Sequence, residues 1–249
     1  MSENNNNFIE QLKAHTYEVS SKGVYVPSLE REIKFSTLTA KHQKYFIHAT
    51  LDNPLLNLIF HQKSYDIIKD LCSENGLVDN FNIIDKHAIL IQLRYHFVSD
   101  KYNGASLNPV INFIKKIKLD LSPKVDVVDG VSIQYQIPTI LQENRILKEY
   151  GDTVKHSMNP TDEDEIRCII ADAYILEIVK YINKVQLVSN NSVVDFNNHS
   201  YSHIVDVVDV LGKRVCDKVH DYINNVKSSY KGMYFVKNKE IEINASLFN

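Results

Sequence analysis

The chain has 249 residues and a mass of 28.7 kDa, enough for one large domain or two small ones, with room for a substantial core. Hydrophobic residues make up 44% of it and charged ones 24%, against only seven Gly and six Pro, which excludes a disordered, collagen-like or linker-type polypeptide. A formal charge of −3 and a pI near 6.4 give no global basic field that could hold nucleic acid.

Cys72, Cys168 and Cys216 lie far apart and form no CxxC pair, an odd, scattered set that fits a reducing compartment better than a disulfide framework. Met1-Ser2-Glu3, followed by Asn4 to Asn7, lacks the basic stretch and apolar block of a secretion signal. No apolar run nears the roughly 18 residues of a membrane span. The expectation is a soluble cytoplasmic protein with neither membrane nor nucleic-acid partners. The Asn-x-Ser triplets at Asn190, Asn198 and Asn244 are then chance matches in an Asn-rich chain.

Residues 1–20 read as a polar, partly flexible segment, with an amphipathic turn through Phe8, Ile9 and Leu12. Val24-Tyr25-Val26 and Glu30 to Phe35 read as short strands on either side of Pro27, the second alternating charged and apolar residues. Thr39 is placed to cap a helix carrying Tyr45, Phe46 and Ala49. After Pro54 a second helix runs through Tyr65, Ile68 and Cys72 and is expected to stop at Asn75-Gly76. A third starts near Ile83, with Ile84, Ala88, Ile91 and Tyr95 at helical spacing.

Asn103-Gly104 marks a turn, and residues 109–119 suit helix or strand. Val125 to Ile137, broken by Asp129-Gly130, reads as a hairpin. A helix follows Pro138 through Leu141, Ile146 and Leu147. Thr161, ahead of Asp162-Glu163-Asp164-Glu165, reads as the cap of another, with the carboxylates meeting the positive end of the dipole rather than a cation. Tyr201, Ile204, Val205, Val208, Leu211, Val215, Val219, Tyr222 and Val226 form one apolar stripe, predicting a single long helix with a bend at Gly212. Met233 to Val236 and Glu240 to Ile243 flank Lys237-Asn238-Lys239 as a closing hairpin.

The sum is an α+β protein, predominantly helical, with short antiparallel hairpins near the N-terminus, in the middle and at the C-terminus. Residues 21–249 read as a single domain, which the Asn-rich stretch from Ser189 to Asn198 could divide into subregions 21–188 and 199–249.

No phosphate loop, dinucleotide fingerprint, HExxH or GxSxG is present. His199, His203, Asp206, Cys216 and His220 form the best metal candidate, as two pairs each four residues apart. On one continuous helix His203 and His220 stand roughly 25 Å apart, too far for one ion, and a solvated polar face explains them. Lys115, Lys116 and Lys118 alternate with apolar residues and read as an exposed face.

Val26-Pro27-Ser28-Leu29 and Ile33-Lys34-Phe35 make a strand pair, and Leu38-Thr39-x-Lys41-x-x-Lys44 then opens a helix. Ile67-Ile68-Lys69-Asp70-Leu71-Cys72 closes a helix, Asp85 starts another, and Leu93-Arg94 ends it. In that order and spacing, residues 26–97 resemble the baseplate hub assembly proteins of T-even-type contractile-tailed phages. Glu242-Ile243-Asn244-Ala245-Ser246-Leu247-Phe248 is similar to the strand-plus-Phe terminus of that family. Some relatives carry paired cysteines before that strand; this chain has none there, so no metal or disulfide role carries over.

The resemblance implies a phage protein of the host cell cytoplasm that binds baseplate hub proteins while the central hub of the tail is built. The expectation is a non-enzymatic, chaperone-like assembly factor without cofactor, catalytic residue or metal, absent from the mature virion if its role is transient. A permanent hub subunit is the alternative, and a metal-dependent cytoplasmic enzyme using His199, His203 and Asp206 a more distant one. Lys41, Lys44 and Arg94 match the family pattern and are the implied partner contacts. Their local alternative is two lysines decorating a helix and an arginine that satisfies carbonyls or pairs with Asp85.

Overall fold

Alternating apolar residues at Val24, Val26, Ile33 and Phe35 bury one face of an antiparallel pair, β1 (Lys22–Val26) and β2 (Arg31–Phe35). A one-turn 3-10 helix, Pro27–Leu29, joins them, and Glu30 takes φ 50° to reverse the chain. The computed structural model describes residues 10–12, 14–15, 20–50, 57–153 and 161–248. Phe8, Ile9 and Pro54 lie outside the described residues; Leu12 is helical.

Thr39 caps α1 (Ala40–Ala49) as expected, its N–H donating to His42 Nδ1 at 3.0 Å. Helix α2 (Leu58–Leu71) stops short of Asn75-Gly76, because Cys72 turns extended and bridges Phe35 of β2. The Ser36 N–H donates to the Leu71 carbonyl, and the Ser73 N–H to that of Lys34. Strand pairing thus ends the helix, and Asn75–Asn80 forms a 3-10 segment instead.

Helix α3 (Ile83–Phe97) is the axis of the molecule, with every residue from Ile83 to Arg94 except His87 buried. Asn82 caps it, accepting from the N–H groups of Ile84 and Asp85 at 2.9 and 3.0 Å, while Asp85 accepts from the Asn82 N–H. The turn at Asn103-Gly104 joins β3 (Lys101–Tyr102) and β4 (Ala105–Ser106), with φ of 48° and 79° at its centre. Residues 109–119, open to either reading, contain the short helix α4 (Asn108–Ile114), entered through Pro109.

The expected middle hairpin is β5 (Lys124–Val128) and β6 (Val131–Tyr135), closed by Asp129-Gly130 with both φ positive. Helix α5 (Ile140–Thr153) follows, and Thr139 and Gln142 exchange hydrogen bonds at its start. Helix α6 (Glu163–Tyr181) is capped by Asp162, which accepts from the Asp164 N–H at 2.9 Å, rather than by Thr161. Strands β7 (Ile182–Leu187) and β8 (Val193–Asp195) complete a four-stranded antiparallel sheet in the order β5-β6-β7-β8.

The long stripe is two helices, α7 (Tyr201–Asp209) and α8 (Lys213–Ser229). Gly212, at φ −61° and ψ 147°, is the N-cap of the second, so the helix is interrupted rather than bent. The apolar stripe faces the core on both sides of the break, with Ile204, Val208, Val215, Val219 and Val226 buried. A terminal hairpin of β9 (Phe235–Val236) and β10 (Lys239–Glu240) turns at Lys237-Asn238 and is shorter than expected. The architecture is predominantly helical α+β, and its buried apolar residues form one contiguous cluster.

Candidate functional site

Two helix starts are stapled together. Asn82 and Thr139 form an isolated antiparallel bridge, the Ile83 N–H donating to Pro138 O and the Ile140 N–H to Phe81 O. Lys86 and Glu143 each lie one turn inside the helices that begin there, so the bridge sets them face to face. Lys86 is wholly buried and Glu143 is 4% exposed, and the ammonium donates to Glu143 Oε2. From α2, His61 brings its Nδ1 within 3.0 Å of the same Lys86 Nζ. An ammonium has only donors, so Nδ1 accepts and the ring proton sits on Nε2.

The chain of charge continues outward. Lys180 Nζ lies 3.7 Å from Glu143 Oε1 and 2.7 Å from Glu177 Oε2, and Lys227 Nζ of α8 lies 2.8 Å from Glu177 Oε1. Lysine and glutamate thus alternate from the half-exposed Lys227 to the fully buried Lys86. Burial opposes the charge on Glu143, but Lys86 and Lys180 outweigh it and hold the carboxyl far below its usual range. Glu177, opposed by burial but flanked by Lys180 and Lys227, is brought down to about 2. Burial, reinforced by the Lys86 charge, brings His61 down to about 3 and His87 well below the ordinary imidazole value. Both rings are therefore neutral at pH 7, and burial also lowers Lys86 from the ordinary lysine value against the opposing pull of Glu143.

His61, His87, Glu143, Glu177, Lys180 and Lys227 line a cavity of about 470 Å³ between α3, α5, α6 and the C-terminal segment, with Lys86 behind Glu143. Ile83, Ile84, Ile241 and Ile243 form its apolar wall; Lys231, Phe235 and Glu240 stand on the terminal segment, and Tyr181 and Tyr234 also line it. The Tyr234 hydroxyl meets His87 Nδ1 at 2.8 Å. Burial raises both phenols above the ordinary tyrosine value, so they remain protonated donors.

None of this cluster was singled out in the sequence. A signal was there: Glu143 occupies the apolar stripe of α5 with Ile140, Ile146, Leu147 and Tyr150, where a carboxylate needs a buried partner.

The residues singled out from the sequence lie elsewhere. Lys41 is exposed and pairs with Asp70 at 2.5 Å. Lys44, one turn on, is exposed and makes no ion pair with a described residue. Arg94 is 7% exposed; its guanidinium donates to the carbonyls of Leu247 and Lys101, satisfying carbonyls rather than pairing with Asp85. Asp85 accepts from the backbone N–H groups of Ser28 and Asn82. A guanidinium so enclosed anchors the C-terminus and presents little surface to a partner.

The His199 and His203 rings lie 4.6 Å apart, His199 ahead of α7 and His203 on it, while His220 packs near Tyr174. Among the described residues no group of three or more His, Cys, Asp or Glu is placed to hold a metal ion. The break at Gly212 removes the single-helix geometry used to keep the two pairs apart. Lys115 pairs with Glu32 at 2.9 Å, and Lys116 and Lys118 are exposed. No helix among the described residues is long and apolar enough to cross a membrane. Comparison with family models, with curated proteins and with solved structures finds no match.

Proposed function

We propose that the chain is a non-enzymatic assembly factor for the central hub of a phage tail baseplate, acting in the host cytoplasm by binding hub proteins. The observation that carries the reading joins the two separate stretches of resemblance. Residues 26–97 and 242–248 pack as one unit: Arg94 donates to the Leu247 carbonyl, and Phe248 stacks on Phe46 with centroids 3.9 Å apart. Within the first stretch, Cys72 bridges Phe35, and Asp85 holds the turn after β1 through the Ser28 N–H. Motifs far apart in sequence but mutually dependent in space are what a shared fold needs.

On this reading the outward face of α1 meets the partner. Lys44 makes no ion pair with a described residue there, Ile47 is 64% exposed, and Lys41 flanks them. An assembly factor must favour the unfinished hub over the completed one, since only differential affinity lets it let go. Co-purification of the tagged chain from infected cells tests the proposal: hub proteins are expected with it, and recovery of no tail protein refutes it. Mass spectrometry of finished tails then separates a transient factor, absent from the particle, from a permanent subunit present at fixed stoichiometry.

A further inference from the structure

Strand β5 stands at the end of the order β5-β6-β7-β8, and no described strand pairs with its outer side. The two-residue turn at Asp129-Gly130 makes Val128 and Val131 the closing hydrogen-bonded pair, so bonded pairs recur at Asp126–Ile133 and Lys124–Tyr135. The N–H and C=O groups of Val125 and Val127 therefore point away from β6 and out of the sheet. Their side chains are open as well, at 56% and 63% exposure. Lys124 and Asp126 project from the other face, beside Tyr135 and α8.

We propose that β5 is a self-association edge, pairing antiparallel with β5 of a second copy about a twofold axis at Val125. Only outward-facing backbone groups can bond across such an edge, which places the axis on a residue and leaves few registers. An axis at Asp126 sets two carboxylates against each other, and one at Lys124 sets two ammonium groups together. An axis at Val127 needs Asp129, which has already left the strand at φ 52°. The axis at Val125 instead puts Lys124 of each copy opposite Asp126 of the other. The order of these two charges is thus self-complementary, and it selects a second copy as the occupant.

In this register the Val125 residues exchange N–H···O bonds, and each Val127 N–H donates to the Pro123 carbonyl opposite. Pro123 has no N–H to donate, so pairing stops there. Val125 and Val127 of both copies line up on the outer face. Each charge already has a local partner: Lys124 Nζ lies 3.3 Å from Asp120, and Asp126 accepts from the Tyr135 hydroxyl at 2.9 Å. Both are exposed, and a carboxylate can accept from a phenol and an ammonium together. A strand this short covers less than a standard interface, so the dimer is weak and fills at high concentration.

Sedimentation velocity over a concentration series, with residue-resolved hydrogen exchange, tests the proposal. The 28.7 kDa chain is expected to pass to a dimer and no further. The Val125 and Val127 amides gain protection as it does, while that of Asp126, bonded to Ile133, stays as it was. Lys124→Glu and Asp126→Lys are each expected to weaken self-association about tenfold. An equimolar mixture of the two variants regains it, because the mixed pair restores opposite charges at both positions; that recovery also shows both variants to be folded. A monomer at every concentration, growth beyond the dimer, or a dimer without protection at Val125 and Val127 overturns the proposal. So does a mixture that associates no better than either variant alone. Protection of these amides only on adding a hub protein assigns the edge to a foreign strand, and overturns the second copy as its occupant.

Discussion

The buried polar residues of α3 fall into two sets that behave differently. On one side Asp85, Gln92 and Arg94 are committed to backbone: Asp85 to the Ser28 and Asn82 N–H groups, Gln92 to the Tyr25 N–H and carbonyl, Arg94 to the Leu247 and Lys101 carbonyls. On the other side Lys86 meets side chains, Glu143 and His61, and through Glu143 the rest of the charge chain. The first set does what any buried segment needs, satisfying main-chain groups that would otherwise be orphaned. No backbone group requires the second set. A charge chain of that kind is weak as stabilisation and more informative as a site.

The sharpest break in the comparison comes from Glu143→Leu. It leaves Lys86 buried without its carboxylate and is expected to cost about 3–5 kcal/mol in denaturant unfolding. The double variant Lys86→Met with Glu143→Leu removes both charges and is expected to recover most of that loss. A double variant as unstable as the single one would make the pair a stabilising element after all.

Arg94→Leu comes next, at about 2–4 kcal/mol, because the Leu247 and Lys101 carbonyls lose their donor in a buried setting. Limited proteolysis is expected to clip the chain beyond Glu242 first, with the His61 resonances unmoved. Movement at His61 would mean that the two sides of α3 are coupled.

Acid titration sharpens the contrast with a smaller effect. In the unfolded chain a histidine takes its proton near pH 6.5, whereas His61 in the folded chain waits until about 3. Below pH 6.5 the unfolded state therefore binds more protons, and stability falls with a slope of up to about 1.4 kcal/mol per pH unit for each such histidine. Glu177 adds a second window: its ion pairs contribute fully above about 4.5 and are lost as pH falls towards about 2. His61→Gln is expected to reduce the slope between pH 6.5 and about 3, while the contributions of His87 and Glu177 remain. An unchanged profile would place the titration elsewhere.

Smallest of all is Lys44→Glu, expected to change stability by less than about 0.5 kcal/mol at its exposed position while reducing capture of hub proteins. Normal capture would move the partner face off α1.

Period and turn chemistry made the fold legible where they act locally. The β1–β2 and β5–β6 hairpins, the Thr39 cap and the start of α3 follow from alternation, Asp129-Gly130, a capping threonine and the helical spacing from Ile84 to Tyr95. Elements ended by distant contacts were not legible. Cys72 leaves α2 early because β2 claims it, and Asp162 takes the cap expected of Thr161. The stripe through α7 and α8 is continuous in sequence although the helix is not, since core-facing positions recur on both sides of Gly212. The charge chain was hidden for a related reason. Lys86 and Glu143 are 57 residues apart, and only the bridge between Asn82 and Thr139 makes them neighbours.

Reconstitution of the hub from its purified proteins, with and without this chain, tests the assembly role most directly. The account predicts that a substoichiometric amount of the chain speeds hub formation and is absent from the completed hub. Unchanged rate and yield at an equimolar amount would contradict it.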